Sequence, residues 1–360
     1  MIDITSLLRM AKERRASDLH LVVGSPPMAR IDGALQVLDG HGDLTAEDID
    51  YSLSQMATLD QQREFESNLE LDFGMAVPGI GRLRCNAARQ RGHISYAIRL
   101  LPSEIPTIEG LELPEVYRDL AMKQHGLVIV SGPTGSGKTT SLATMINEIN
   151  QRRTCHVVTI EDPIEYEHTN IYSAITQRQL GTDTLSFASA LKHVLRQDPD
   201  VILVGEVRDV ETASAVLTVA ETGHLVLTTG HATGAPEAID RIVGLFPPSQ
   251  RYLAQIRLAA TLIAVLGQTL VPRMRTQGRI AAVEIMLGTP AVKNLIREGK
   301  IHQLHNVIRT STKSGMMTMD QSLARLYLQG AISAETLFEY SQNRDEVEEI
   351  VGRRIPSATY

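Results

Sequence analysis

The sequence predicts an α/β fold in two parts. A small α+β N-terminal domain covers residues 1–100, a linker runs over 101–114, and a larger domain covers 115–360, built on a parallel sheet and mainly helical from about residue 236. Three observations predict this. At 360 residues the chain exceeds the usual size of one domain. Its first hundred residues hold short strand-like runs, one pair closed by an Asp32-Gly33 turn that favours a hairpin. Beyond residue 114 fully apolar runs alternate with helical patterns, the signature of a parallel sheet covered on both faces.

In chain order, residues 3–15 read as an amphipathic helix with Ile4, Leu7, Leu8 and Ala11 at helical spacing. Strand-like runs follow at Leu19–Val23, Met28–Ile31, Leu83–Ala88 and Ile94–Leu100. The segment from Leu101 to Pro114 carries three prolines and few helix signals, which marks it as the linker. Core strands are then expected at Leu127–Val130, His156–Ile160, Val201–Val204 and Leu225–Thr228.

Composition excludes several classes. Hydrophobic residues at 43% and charged residues at 21% are ordinary for a globular protein, so disorder and fibres are ruled out. A net charge of −7, 4% aromatics and no Trp argue against a nucleic-acid track. Two cysteines, Cys85 and Cys155, build neither a disulfide framework nor a CxxC motif, which suits a reducing cytoplasm. The N-terminus lacks the apolar core of a signal peptide. The most apolar stretch, Leu258 to Val271, is shorter than the ~20 residues a bilayer span needs, so no direct membrane insertion is expected.

The strongest chemical signal is Gly132-Pro133-Thr134-Gly135-Ser136-Gly137-Lys138-Thr139, followed by Thr140, which matches G-x-x-x-x-G-K-[ST] between an expected strand and an expected helix. In such a loop backbone N–H groups cradle a β-phosphate, Lys138 reaches the β and γ oxygens, and the Thr139 hydroxyl ligates Mg²⁺. This defines a site for a nucleoside triphosphate, with ATP and Mg²⁺ as the expected ligands. A second element, Val201 to Glu206, is an apolar strand ending in an acid where P-loop proteins keep a metal- or water-polarising carboxylate; Gly205 stands where the usual Asp would be. Between them lie Glu161, Asp162 and Glu165, three acids in five residues at a strand end where α/β sheets bind ligands. Glu165 and Glu206 both qualify as the group that orients or deprotonates water, and the residues alone do not choose.

His224 and His231 flank the last expected core strand, from which one of them would sense the γ-phosphate. From Phe73 to Ser103 there are five arginines and no Lys, Asp or Glu. Arg82 and Arg84 share a strand face, and arginine without lysine suits bidentate phosphate contact in trans. Arg196, in the helix expected over Phe187–Arg196, is a further candidate.

With these elements placed, the chain resembles the secretion-superfamily ATPases and, within them, the type IV pilus retraction ATPases of the PilT kind. The resemblance rests on Ser17-Asp18-Leu19-His20-Leu21, GPTGSGKTT, IEDPIEY, LRQDPDVILVGEVRD and the TGH of Thr222–His224. It implies a PAS-like N-terminal domain, a RecA-like P-loop ATPase domain and a homohexameric ring that drives pilus retraction and twitching motility. Glu206 would be an atypical Walker B acid and Glu165 the catalytic carboxylate. His224 and His231 would form a histidine box. Arg84, Arg99 and Arg196 match arginines that approach the γ-phosphate in the ring, and Lys192 sits where some secretion relatives carry arginine. The implied setting is the cytoplasmic, inner-membrane face of a pilus machine, with a membrane platform protein and a paralogous retraction ATPase as partners.

Ala291 to Glu298 resembles the retraction-specific AIRNLIRE helix, and two cysteines cannot supply the four-cysteine zinc module usual in assembly and secretion relatives. The alternatives are a type II secretion or pilus assembly ATPase, a PilU-like accessory paralogue and a RecA-like nucleic-acid translocase. One departure favours the accessory reading. His231 stands in Gly230-His231-Ala232-Thr233-Gly234, where extra glycine is expected to loosen the backbone.

Overall fold

The computed structural model describes residues 2–31, 33–101 and 104–352. The chain divides into two compact units, Met1–Glu104 with Pro163–Glu167, and Ile105–Asp162 with His168–Tyr360. The second unit thus begins inside the segment read as a linker. Ile108 and Leu113 are buried in its core with Tyr117 and Leu120, so those apolar residues fasten the stretch despite its prolines.

The N-terminal unit is one antiparallel sheet with three helices. Its strands are β1 (Asp18–Val22), β2 (Met28–Ile31), β3 (Ala34–Val37), β4 (Glu70–Val77), β5 (Gly81–Gln90) and β6 (His93–Leu100), in spatial order β3-β2-β1-β6-β5-β4. The opening helix is Ile4–Glu13, capped by the Asp3 carboxylate, and it buries Ile4, Leu7, Leu8 and Ala11 as its spacing predicts. Ile31 faces Ala34 across a β2–β3 hairpin; Asp32 of the expected turn lies outside the described residues. The helices Ala46–Met56 and Leu59–Asn68, and the strand β4, have no counterpart in the sequence reading. Both helices open on Thr capping boxes.

The second unit holds β7 (Gly126–Ser131), β8 (His156–Glu161), β9 (Ala174–Gln179), β10 (Val201–Val204), β11 (Leu225–Gly230), β12 (Leu262–Pro272) and β13 (Arg279–Leu287), in the order β13-β12-β7-β11-β10-β8-β9. All neighbours run parallel except β12 and β13. Leu127 and Ile129 pack into one core and Val128 and Val130 into another, so both faces are covered and the strands need apolar residues at every position. The portion from residue 236 is mainly helical, as expected, but it also holds two strands that the sequence reading lacked. Two long strands, β12 and β13, follow the helices Ala235–Gly244 and Arg251–Thr261 and enter the sheet beside β7. The apolar stretch 258–271 is mostly β12, and a largely apolar strand buried on two faces carries no period to betray it. Five α-helices between Pro290 and Val351 complete the described chain. Among the described residues no helix is long and apolar enough to cross a membrane.

Candidate nucleotide site

The P-loop leaves β7 at Ser131 and enters the helix Lys138–Arg152, the strand–loop–helix context its motif demands. Pro133, Thr134 and Gly135 are exposed at the crest, whereas Gly132, Ser136 and Lys138 are buried. Gly137 takes the left-handed conformation (φ 86°) at the helix N-cap, and its residue type removes the Cβ penalty there. The Lys138 ammonium donates to the carbonyls of Gly132 (2.8 Å) and Pro133 (2.9 Å), so it lies along the inside of the loop. Thr139 and Thr140 occupy the first helical turn, where the N–H groups of a helix N-terminus and the helix dipole favour an anion.

Glu206 follows β10 and is 9% exposed. Its Oε2 accepts from Arg208 Nε at 2.7 Å and lies 3.0 Å from His231 Nε2, just past β11. Since β11 lies between β10 and β7, Glu206, His231 and the P-loop stand at the same carboxyl end of three adjacent parallel strands. Thr228 and Thr229 hydroxyls bind the carbonyls of Val204 and Gly205, which fixes the strand end that delivers Glu206.

The glycines around His231 are packed, so the expected loosening is corrected. Gly230 is the last residue of β11, in register with Ser131. A Cβ on it would meet Ser131 Oγ at 2.9 Å, and that hydroxyl clamps the loop by donating to Ala232 O (2.8 Å) and accepting from Ala232 N (3.1 Å). A Cβ on Gly234 would run into Glu237 and approach Glu284 Oε1. Glu284 is 1% exposed, accepts from Ala235 N at 2.6 Å at the start of the helix Ala235–Gly244, and is pushed up in pKa by burial. Small residues are therefore needed to let this loop sit on Ser131 and Glu284. Gly230→Ala is expected to cost about 1–2 kcal/mol by overpacking, read as a lower urea midpoint, and an unchanged midpoint would refute the clamp.

The three acids of the acidic box part company. Glu161 is buried at the end of β8 and accepts from Thr159 Oγ1 (2.6 Å) and Gln177 Nε2 (3.2 Å), which ties it into the sheet. Glu165 lies in Pro163–Glu167, which belongs to the N-terminal unit. There Arg82 holds the segment through the Ile164 carbonyl (2.6 Å) and Glu167 Oε1 (3.0 Å). Arg82 thus has a partner role that the arginine window did not reveal.

Arg84 and Arg99 stand directly opposite each other on β5 and β6, both exposed and on one sheet face. Arg99 Nε donates to Asp18 Oδ1 at 2.9 Å. Burial pushes the Asp18 carboxyl up, but the Ser17 hydroxyl and the Arg99 guanidinium outweigh it and hold it below its ordinary 3.8. Arg99 must exchange that carboxylate for any phosphate it serves.

Two residues fall elsewhere. His224 precedes β11, with Nδ1 held 3.1 Å from both Thr222 Oγ1 and the Val219 carbonyl. About 20 Å of strand separates it from His231. Arg196 is exposed and lies beyond its helix, which ends at Val194 rather than Arg196. The adjacent Gln197 carbonyl lies 3.0 Å from Nδ1 of His156, the first residue of β8. Both sit at the amino end of the strands, opposite the P-loop, so this unit does not bring them to the phosphate site. Sequence reading missed Ser131, Arg208, Gln268 and Glu284. The signal for Gln268 and Glu284 was a lone polar group inside an apolar run, readable only once β12 and β13 are known to be strands.

Fold and site together define a P-loop nucleotide-binding ATPase. Residues 111–279 match the family described as Type II/IV secretion system protein. The chain is 43% identical over 338 residues to the type IV pilus retraction ATPase PilT of Pseudomonas aeruginosa, covering 94% of this chain and 98% of that one. It is 40% identical to the type IV pilus ATPase PilU of the same organism, covering 96% and 90%. A crystal structure of the pilus retraction motor PilT with bound ADP superposes with a TM-score of 0.90 at 40% identity, over 97% of this chain and 100% of that one. The chain belongs to the PilT/PilU-type pilus ATPases of this secretion family, as its motifs led us to expect.

Proposed function

We propose that the chain hydrolyses ATP to power type IV pilus retraction and twitching motility. The observation that carries this is the grouping of the P-loop, Glu206 and His231 at one sheet end, in a chain similar to PilT over nearly its whole length. Lys138 and the loop N–H groups bind the phosphates. The Thr139 hydroxyl and the Glu206 carboxylate are hard oxygen donors that fit Mg²⁺, which when bound would neutralise charge on the phosphates. Glu165 or Glu206 takes the proton of the attacking water as the bond from Pγ to the β-bridging oxygen breaks. His231 stands against Glu206 and orients its carboxylate.

Six copies would form a ring in which Arg84 and Arg99 reach a neighbour's γ-phosphate. His224 and Arg196, remote from the P-loop of their own chain, would act at a subunit boundary. Loss of the phosphate reopens that boundary, and repeated cycles move a platform protein at the cytoplasmic face of the inner membrane. The packed Gly230 and Gly234 favour a catalytic motor over a subunit with a slack sensor. A paralogous ATPase remains a natural partner, and ATPase assays of the chain alone and mixed with one test that pairing. Deletion of the gene is expected to give piliated, non-twitching cells with excess surface pili; bald cells would overturn retraction in favour of assembly.

A further inference from the structure

We propose that Gln268 is a positioning residue for the nucleotide, a brace beneath the P-loop that sets the direction of the Gly137 N–H. The inference rests on the nucleotide-site reading and adds a residue outside the P-loop motif to it. Gln268 lies on β12, whose preceding residue Gly267 pairs with Ser131 at the root of the loop. It is 2% exposed, and its carboxamide bonds through both its oxygen and its nitrogen. Oε1 accepts from Ser141 Oγ (2.8 Å), one turn into the P-loop helix, and from Tyr117 Oη (3.2 Å). Nε2 donates to the Ser136 carbonyl at 2.7 Å.

That last bond carries the consequence. In a planar trans peptide the carbonyl of Ser136 and the N–H of Gly137 point in opposite directions. Drawing the carbonyl down onto Gln268 therefore turns the Gly137 N–H away from β12, to the side of the loop where an anion is bound. Ser136 is held through its backbone, by this carbonyl and by its N–H on the Pro133 carbonyl (3.2 Å), since among the described residues its own buried hydroxyl has no partner. The loop glycines fit the same brace. A Cβ on Gly132 would run into the Gln268 backbone carbonyl, and one on Gly137 would come within 2.9 Å of Nε2. Glycine at these positions lets the loop rest on β12, and the carboxamide then orients it. A buried amide that satisfies two hydroxyls and one carbonyl is also costly to disturb, so the loop has one stable setting.

The test is Gln268→Glu in the full-length chain, which keeps both accepted bonds and the volume but removes the donor to Ser136. We expect the Kd for ADP by calorimetry and the KM for ATP to rise about tenfold, with kcat at saturating ATP reduced less than threefold. Gln268→Met, which keeps volume and loses every bond, is expected to show the same split. A purely structural role would instead lower thermal stability in both variants and leave ADP affinity unchanged in the folded protein. Wild-type ADP affinity in folded Gln268→Glu overturns the proposal. Should that variant fail to fold, Tyr117→Phe with Ser141→Ala releases Oε1 while keeping the donor; at least a threefold rise in the Kd for ADP is then expected, and no rise overturns the brace. Lys138→Ala is assayed alongside. Wild-type hydrolysis by Lys138→Ala would sink the nucleotide-site reading itself, whereas its inactivity beside intact ADP binding in Gln268→Glu refutes only the brace.

Discussion

Lys138→Ala is expected to abolish ATP hydrolysis, with turnover reduced about 10³-fold or more, because the ammonium is the one fixed positive charge inside the phosphate loop. The structure gives reasons to expect a clean effect. Lys138 opens the helix Lys138–Arg152, and alanine is the best helix former, so the helix is not weakened. The loop keeps its shape through Gln268, the Gly137 cap and its junction with β7, none of which uses the lysine. What disappears is the donor now shared between the Gly132 and Pro133 carbonyls. Without it the charge that develops on the transferred phosphoryl group has no cation of the loop to meet it. The thermal midpoint should move by only a few degrees while phosphate release stops. A folded Lys138→Ala chain that hydrolyses ATP at the wild-type rate would remove the P-loop from the mechanism.

The P-loop is a local structure. Its glycines, lysine and threonine are consecutive, so the spacing alone encodes the cradle, and the fold class follows from the apolar strands around it. The rest of the site is assembled by the order of strands, which is not written in any short window. His231 meets Glu206 because β11 lies next to β10, and His224, seven residues earlier, is carried to the far end of the same strand. Gln268 braces the P-loop because β12 pairs with β7 from more than a hundred residues away. Its run, Leu262 to Val271, is apolar enough to look like helix, strand or core, and the strand choice is made by the open edge of β7 that it completes. Glu161, Asp162 and Glu165 read in the sequence as one acidic cluster, from which Glu165 is the candidate for activating water. Burial and the Thr159 hydroxyl absorb the first, and the third leaves with a segment that Arg82 fastens to the N-terminal unit. The glycines at 230 and 234 misled for the same reason. Glycine in sequence signals freedom, but here each one makes room for a specific partner, Ser131 or Glu284.

Glu206→Gln is expected to bind ATP and lower turnover by about 10²–10⁴-fold, the range over which a positioned general base acts. The substitution is nearly isosteric, and the amide oxygen can still accept from Arg208, so the strand end held by Thr228 and Thr229 should persist. The charge is lost, and with it the group that pairs with His231 in the unit that carries the P-loop. Glu165→Gln is expected to stop turnover as well, since Glu165 is the other carboxylate that qualifies to orient or deprotonate the attacking water. The pair can be told apart by magnesium. If Glu206 serves the metal, raising Mg²⁺ should restore part of the Glu206→Gln rate and leave Glu165→Gln unchanged; if it takes the proton, no concentration of Mg²⁺ should help. His231→Ala sharpens the choice. A histidine that merely orients the Glu206 carboxylate should cost far less in the Glu206→Gln background than in the wild type, because the carboxylate it serves is already gone. Equal losses in both backgrounds would mean that His231 acts on the phosphate independently, and a Glu206→Gln chain retaining more than a tenth of wild-type turnover would leave Glu165 to do the chemistry alone.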